Sequence, residues 1–151
     1  MERMMPMSVF RIYLSGGMTG LSYEEQIKWR NQIISAIRLE SVNCNYIENP
    51  VFFSPPEYYS PNTNFHKSEK EAMEYELNWL RKSDLVIVNF NAPNSIGTAM
   101  ELAIAKENKI PVVGVNIDNK ELHSWLIECT TRMCESLREA VDYIKKYYLS
   151  V

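Results

Sequence analysis

The sequence has no run of basic residues, and its formal net charge is −3. A duplex-DNA binder normally presents a basic face, so the sequence argues against that class. A small anionic ligand is not excluded, because a few backbone N–H groups suffice to hold a phosphate. No apolar run approaches the roughly 20 residues that span a bilayer. Met1, Met4, Met5 and Met7 crowd the start, but no basic segment followed by a long apolar one is present. Residues 1–7 therefore read as a frayed start and not as a signal peptide. Only His66 and His123 represent histidine, with no HxxxH pair, so no metal site is expected. The cysteines are Cys44, Cys129 and Cys134, none in a CxxC spacing. This pattern reads as packed, reduced thiols in a cytoplasmic protein. No internal repeat or low-complexity segment stands out.

What is there fits one domain spanning residues 1–151, with 46% hydrophobic and 23% charged residues. Three short apolar runs, at residues 9–14, 85–90 and 110–115, read as strands of a parallel sheet covered on both faces. Pro111 fits the start of the last of these, where a missing N–H matters least. Weaker strands are expected near residues 44–47 and 130–134. Ser22-Tyr-Glu-Glu25, Ser68-Glu-Lys-Glu71 and Ser136-Leu-Arg-Glu139 are capping boxes that open helices. Inward faces are expected at Ile27, Ile34 and Ile37, at Met73, Leu77 and Leu80, and at Leu137, Val141, Ile144 and Tyr148. A further helix joins two strong strands across residues 96–108. Between residues 49 and 65, prolines interleave with aromatics and prevent a regular element. That stretch is either a surface loop pinned by aromatic packing or a lid over a flat ligand. The order β-α-β-loop-α-β-α-β-α-β-α predicts a doubly wound α/β fold, flavodoxin- or Rossmann-like. Its mostly parallel sheet has five strands, with helices on both faces.

In such sheets ligands bind at the carboxyl ends of the strands, near the reversal of strand order. That rule selects the loops after Leu14 and Phe90. The first is Ser15-Gly-Gly-Met-Thr-Gly20, whose glycines permit close approach and whose N–H groups can hold an anion. It lacks the spacing of a Walker loop or of GxGxxG, so a plain tight turn remains an equal reading. In the second, Asn94 or Ser95 can cap a helix. Gly97 and Thr98 lie in its first turn, where a ligand can approach the positive helix end. Glu101 follows one to two turns in, beside an apolar stretch. It is either a rim residue of the helix or a carboxylate with a tuned pKa. Glu76 and Asp84 are polar groups close to the third strand in sequence. Asp84 reads as positioning the helix-to-strand turn.

Four segments resemble the nucleoside 2-deoxyribosyltransferase superfamily, which includes the 2'-deoxynucleoside 5'-phosphate N-hydrolases. They are Ile12-Tyr-Leu-Ser-Gly-Gly17, Glu76-Leu-Asn-Trp-Leu80 with Asp84-Leu-Val-Ile-Val88, Ser95-Ile-Gly-Thr-Ala-Met-Glu-Leu-Ala103 and, more weakly, Leu122-His-Ser-Trp125. The resemblance implies that Glu101 is a nucleophile forming a covalent deoxyribosyl-enzyme. It implies that Tyr13 orients Glu101, and that Glu76, in place of the usual Asp, serves the departing base. It implies that Ser95 contacts phosphate and that Ser124 is contributed by a neighbouring subunit, hence a homodimer or higher oligomer with shared sites. Gly17 and Thr19 stand where the hydrolases carry serine and arginine. The expected substrate-binding residues are Ser15, Gly16, Gly17, Asn94, Ser95, Gly97, Thr98 and Ser124. The expected partner is a small nucleoside or nucleotide, with no cofactor, nucleic-acid polymer or membrane. Two other classes are compatible: a TIR-like NAD glycohydrolase, which requires ribosyl substrates, and a non-catalytic nucleotide-binding module.

Overall fold

A computed structural model of the chain describes residues 9–41, 50–59 and 65–150. The expected frayed start, the weak strand near residues 44–47 and Cys44 lie outside these residues. The element order is β1 (Arg11–Gly16), α1 (Tyr23–Ser41), β2 (Val51–Phe53), a 3-10 turn (Pro55–Tyr58), α2 (Glu69–Arg81), β3 (Leu85–Asn89), α3 (Ile96–Glu107), β4 (Val112–Val115), α4 (Ser124–Glu128), β5 (Arg132–Cys134), α5 (Leu137–Ile144) and a π-helical turn (Lys145–Leu149). The five strands form one parallel sheet in the order β2-β1-β3-β4-β5. The doubly wound α/β expectation is met.

Period-two alternation along the strands sends side chains to two separate cores. Ile12, Leu14, Leu85, Ile87, Val113 and Val115 meet α1 and α5 on one face. Tyr13, Val86, Val88 and Val112 meet residues of α2, α3 and α4 on the other. Ser15 continues the Tyr13 side of β1, which aims it at α3. The expected caps form: Ser22, Ser68 and Ser136 each accept from the backbone N–H three residues on, at 3.2, 3.1 and 3.0 Å. Asp84 ties the starts of two strands together, its carboxylate accepting from Arg11 N at 2.8 Å and its own N–H donating to Arg11 O.

Three expectations are corrected. The proline-rich stretch does contain regular structure: Val51–Phe53 is a strand and Pro55–Tyr58 a 3-10 turn. β2 is an edge strand, so Pro50 immediately before it costs no internal ladder bond, and Pro55 sits at the helix start, where its missing N–H is tolerated. Phe53 is no lid. It is fully buried and stacks on Tyr13 at 5.2 Å, on Tyr58 at 5.2 Å and on Trp79 at 5.0 Å between ring centroids. Met73 was expected inward but is 44% exposed, and Ala72 takes the buried place on α2. Among the described residues, no helix is long and apolar enough to cross a membrane.

Candidate active site

The chain leaves β1 towards β2 on one side and reaches β3 on the other, so the carboxyl ends of β1 and β3 bound a crevice. A cleft of about 930 Å³ opens there. Its walls come from the turn after β1, the segment around Pro55 and Tyr59, one face of α2, and the start of α3. Of the residues expected from sequence, Gly16, Gly17, Glu76, Asn94, Ser95, Gly97, Thr98 and Glu101 line it together.

Glu101 forms the floor. Its Oε1 accepts from Ser15 Oγ at 3.2 Å, while Oε2 is enclosed without a formed hydrogen bond. The residue as a whole keeps some exposed surface on the cleft side. Burial pushes its carboxyl up to about 7, against the opposing pull of Tyr13, Ser15 and Arg30. The fully buried Tyr13 sits behind it. The Tyr13 hydroxyl favours the Glu101 carboxylate as a donor, yet makes no hydrogen bond of regular geometry. Of the two hydroxyls, Ser15 is the one whose hydrogen bond to Glu101 is formed. Ser15, expected on the substrate side, is fully enclosed and turned to Glu101. Glu76 faces the same space from α2. Burial first, and then the negative charge of Glu101, push it up to about 8, and its Oε1 is enclosed without a partner. Two nearby carboxyls in a poorly solvated site cannot both ionise freely, so they titrate as a pair.

The start of α3 is built to meet a ligand. Ser95 caps it, its Oγ accepting from Thr98 N at 3.3 Å and from Thr98 Oγ1 at 3.0 Å. With both lone pairs used, the Ser95 O–H remains to donate outward. A Cβ added at Gly97 would meet nothing within 4 Å. Gly17 is different, because an added Cβ would lie 2.4 Å from Ala92 Cβ. Only glycine lets the two site loops touch there. The Gly17 N–H, expected to be free for an anion, instead donates to Asn91 Oδ1 at 3.0 Å. Ser124 begins α4 and is not part of the cleft of its own chain.

Sequence reasoning missed several participants. Glu69 lines the cleft from α2 and Gln26 from α1, while Tyr59 lines it from the proline- and aromatic-rich stretch already read as a surface loop or a lid. Gln26 Nε2 donates to Met18 O and Leu21 O, both at 3.0 Å, and so fixes the turn after β1. Arg30 is buried beneath that turn, its Nη2 donating to Gly16 O at 3.3 Å.

No family model matches the chain, and no curated protein matches it in sequence. Solved structures do. A conserved protein from Enterococcus faecalis V583 superposes with a TM-score of 0.74 at 16% identity, covering 92% of this chain and 99% of that one. A 2-deoxyribosyltransferase from Bacillus psychrosaccharolyticus gives 0.68 at 16% identity, covering 88% and 91%. The CMP N-glycosidase BcmB from Clostridium botulinum gives 0.56 at 15% identity, covering 91% and 98%. The fold is thus shared with the 2-deoxyribosyltransferases and an N-glycosidase, as the sequence resemblance implies.

Proposed function

We propose that the protein cleaves the N-glycosidic bond of a 2'-deoxynucleoside or its 5'-monophosphate, passing the sugar to another base or to water. The observation that carries this reading is the pair of enclosed carboxyls, Glu101 and Glu76, facing one cleft with their pKa values pushed to about 7 and about 8. Glycosidic cleavage requires one carboxylate to meet the anomeric carbon and one carboxylic acid to protonate the leaving group. The acid with the lower value, Glu101, is the nucleophile. Glu76, the later to ionise, is the acid. The activity named for two of the fold neighbours, a 2-deoxyribosyltransferase and a CMP N-glycosidase, agrees with this chemistry.

In the first step a Glu101 oxygen bonds to C1' as the C1'–N bond breaks. The electron pair of that bond goes to the base nitrogen, which takes the Glu76 proton. In the second step a water or an acceptor base attacks C1', and the Glu101–C1' bond breaks. The proton of the attacking group passes to Glu76, restoring both carboxyls. Ser15 and Tyr13 act behind Glu101, holding it at the anomeric position. Tyr59 and Pro55 offer apolar surface to the base.

Sites shared in a homodimer belong to this reading. Ser124 stands beside Trp125, which is 77% exposed, so the serine lies next to apolar surface that a second subunit would have to cover. The test is incubation with a panel of deoxy- and ribonucleosides and their monophosphates, CMP included, with and without acceptor base, followed by chromatography. Free base from deoxy substrates, and a deoxyribosyl mass increment on Glu101 in the quenched enzyme, are expected. Products from ribosyl substrates alone overturn the deoxyribosyl assignment.

A further inference from the structure

Arg30 is fully buried, with Nε donating to Leu14 O at 3.3 Å, Nη2 to Gly16 O at 3.3 Å and Nη1 to Gln26 O. Its guanidinium lies 4.6 Å from the centroid of the Trp29 ring. An added Cβ on Gly16 would meet Trp29 at 2.8 Å and Arg30 Nη2 at 3.4 Å, so this pair packs directly under the turn that lines the cleft. A buried cation normally has an anion against it. Here the three bonds all go to backbone carbonyls, and among the described residues no ion pair involves Arg30. Burial lowers its pKa to about 10, which leaves it charged at neutral pH. The acids that act on it electrostatically are Glu101 and Glu76, and Tyr13 is its other titratable neighbour.

We propose that Arg30 is a positioning residue of the cleft: its fixed charge beneath the Gly16 turn permits one carboxylate of the Glu76–Glu101 pair to ionise, while its three donors hold the turn in shape. One cation set against two acids leaves a single stable negative charge, the state in which one carboxylate and one carboxylic acid coexist. The position is one that only arginine satisfies well. Its planar fork reaches three carbonyls at once, and it keeps its charge where a lysine would tend to lose it. The catalytic consequence rests on the glycosidase reading, whereas the electrostatic claim does not.

The remaining titratable groups facing the cleft or the pair are Tyr13, Tyr23, Tyr59 and Glu69. Burial pushes Tyr13 and Tyr59 up, and these two stay protonated through the relevant range. Glu69 contributes equally before and after substitution at Arg30. The test is carboxyl titration by carbon NMR in the wild-type protein, Arg30→Gln and Arg30→Lys. In Arg30→Gln the Glu101 midpoint is expected to rise by about one unit, a tenfold loss of ionised Glu101 at a given pH below it. The acid limb of any kcat/KM profile moves with it, and Arg30→Lys, whose buried amine tends to lose its charge, restores either only in part. A folded Arg30→Gln protein with unmoved midpoints overturns the inference. The second measurement needs no change at Arg30: its guanidinium nitrogen signal in the wild-type protein should inflect as the pair titrates. That inflection should alter in Glu101→Gln. A flat signal through the pair's titration also overturns the inference. Absence of glycosidic activity together with shifted midpoints sinks only the proposed function.

Discussion

The enclosure that raises the Glu101 carboxyl, and that would tune it for the proposed reaction, also makes it costly to the fold. Its folded pKa, about 7, lies above the ordinary 4.5, as does that of Glu76 at about 8. A raised value means that the stability associated with these groups is full below their unfolded pKa and is lost as pH rises through 7 to 8. Glu101→Gln is therefore expected to raise the melting temperature more at about pH 9 than at about pH 5, while abolishing base release. Thermal scans at the two pH values check it. The proposed catalysis needs Glu101 ionised and Glu76 protonated, so kcat/KM should follow a bell bounded by about 7 and about 8. A rate that climbs steadily to pH 9 contradicts these roles. Glu76→Gln should lower kcat by about 10²- to 10⁴-fold, the usual worth of a general acid. The placement of Glu101 in the cleft was legible in sequence, because it sits on a Gly-Thr helix start that the family resemblance singles out. Arg30 was not, although a signal existed: it falls on the stripe of Ile27, Ile34 and Ile37 that was expected to face inward. An arginine in an apolar stripe is ordinarily taken for a long side chain snorkelling to water. Nothing in the chain order reveals that three carbonyls wait for it.

The helices and strands read well wherever the signal was local. Capping boxes marked the starts of α1, α2 and α5, since a serine and a glutamate three apart interact without help from the rest of the fold. The short β2 was hidden because its pairing with β1 is a long-range event and prolines flank it on both sides. At α3 the sequence showed a cap and a glycine but could not show which face the glycine left bare. Since nothing lies within 4 Å of a Cβ at Gly97, Gly97→Ala should fold without strain and stabilise α3 by about 0.5 kcal/mol. The added methyl group would enter the cleft, so KM should rise with little loss of kcat at saturation. Denaturant melts paired with steady-state kinetics test both halves. Removing the cap has the reverse profile: Ser95→Ala should cost about 1 kcal/mol.

Taken whole, the cleft is an acidic one. Glu69, Glu76 and Glu101 line it, and no lysine, arginine or histidine is among its described lining residues. Helix α3 and the Ser95 hydroxyl offer a phosphate some compensation, and Arg30 beneath the turn offsets one carboxylate of the pair, but the lining itself brings only acids and no cation to face a dianion. A nucleoside should therefore be processed with a higher kcat/KM than its 5'-monophosphate, and added salt should narrow the gap. A preference for the monophosphate at every ionic strength would count against this picture. The sequence hinted at it through Thr19, where the hydrolases carry arginine, but only the fold brings Glu69 to the same opening. The glycine side of this opening is braced. Gly17 N–H holds Asn91 Oδ1, Asn91 O accepts from Lys120 Nζ at 2.6 Å, and the Lys120 backbone is gripped by Asn116 at 3.0 and 2.9 Å. Three successive loops at one end of the sheet are thereby laced into a single rim. A rim laced in this way is expected to act as an anvil, leaving the breathing that admits or releases a ligand to the opposite bank, where Tyr59 and the start of α2 stand. Deuterium should enter the Gly17 amide slowly, in free and ligand-loaded protein alike, while uptake near Tyr59 responds to what the cleft contains.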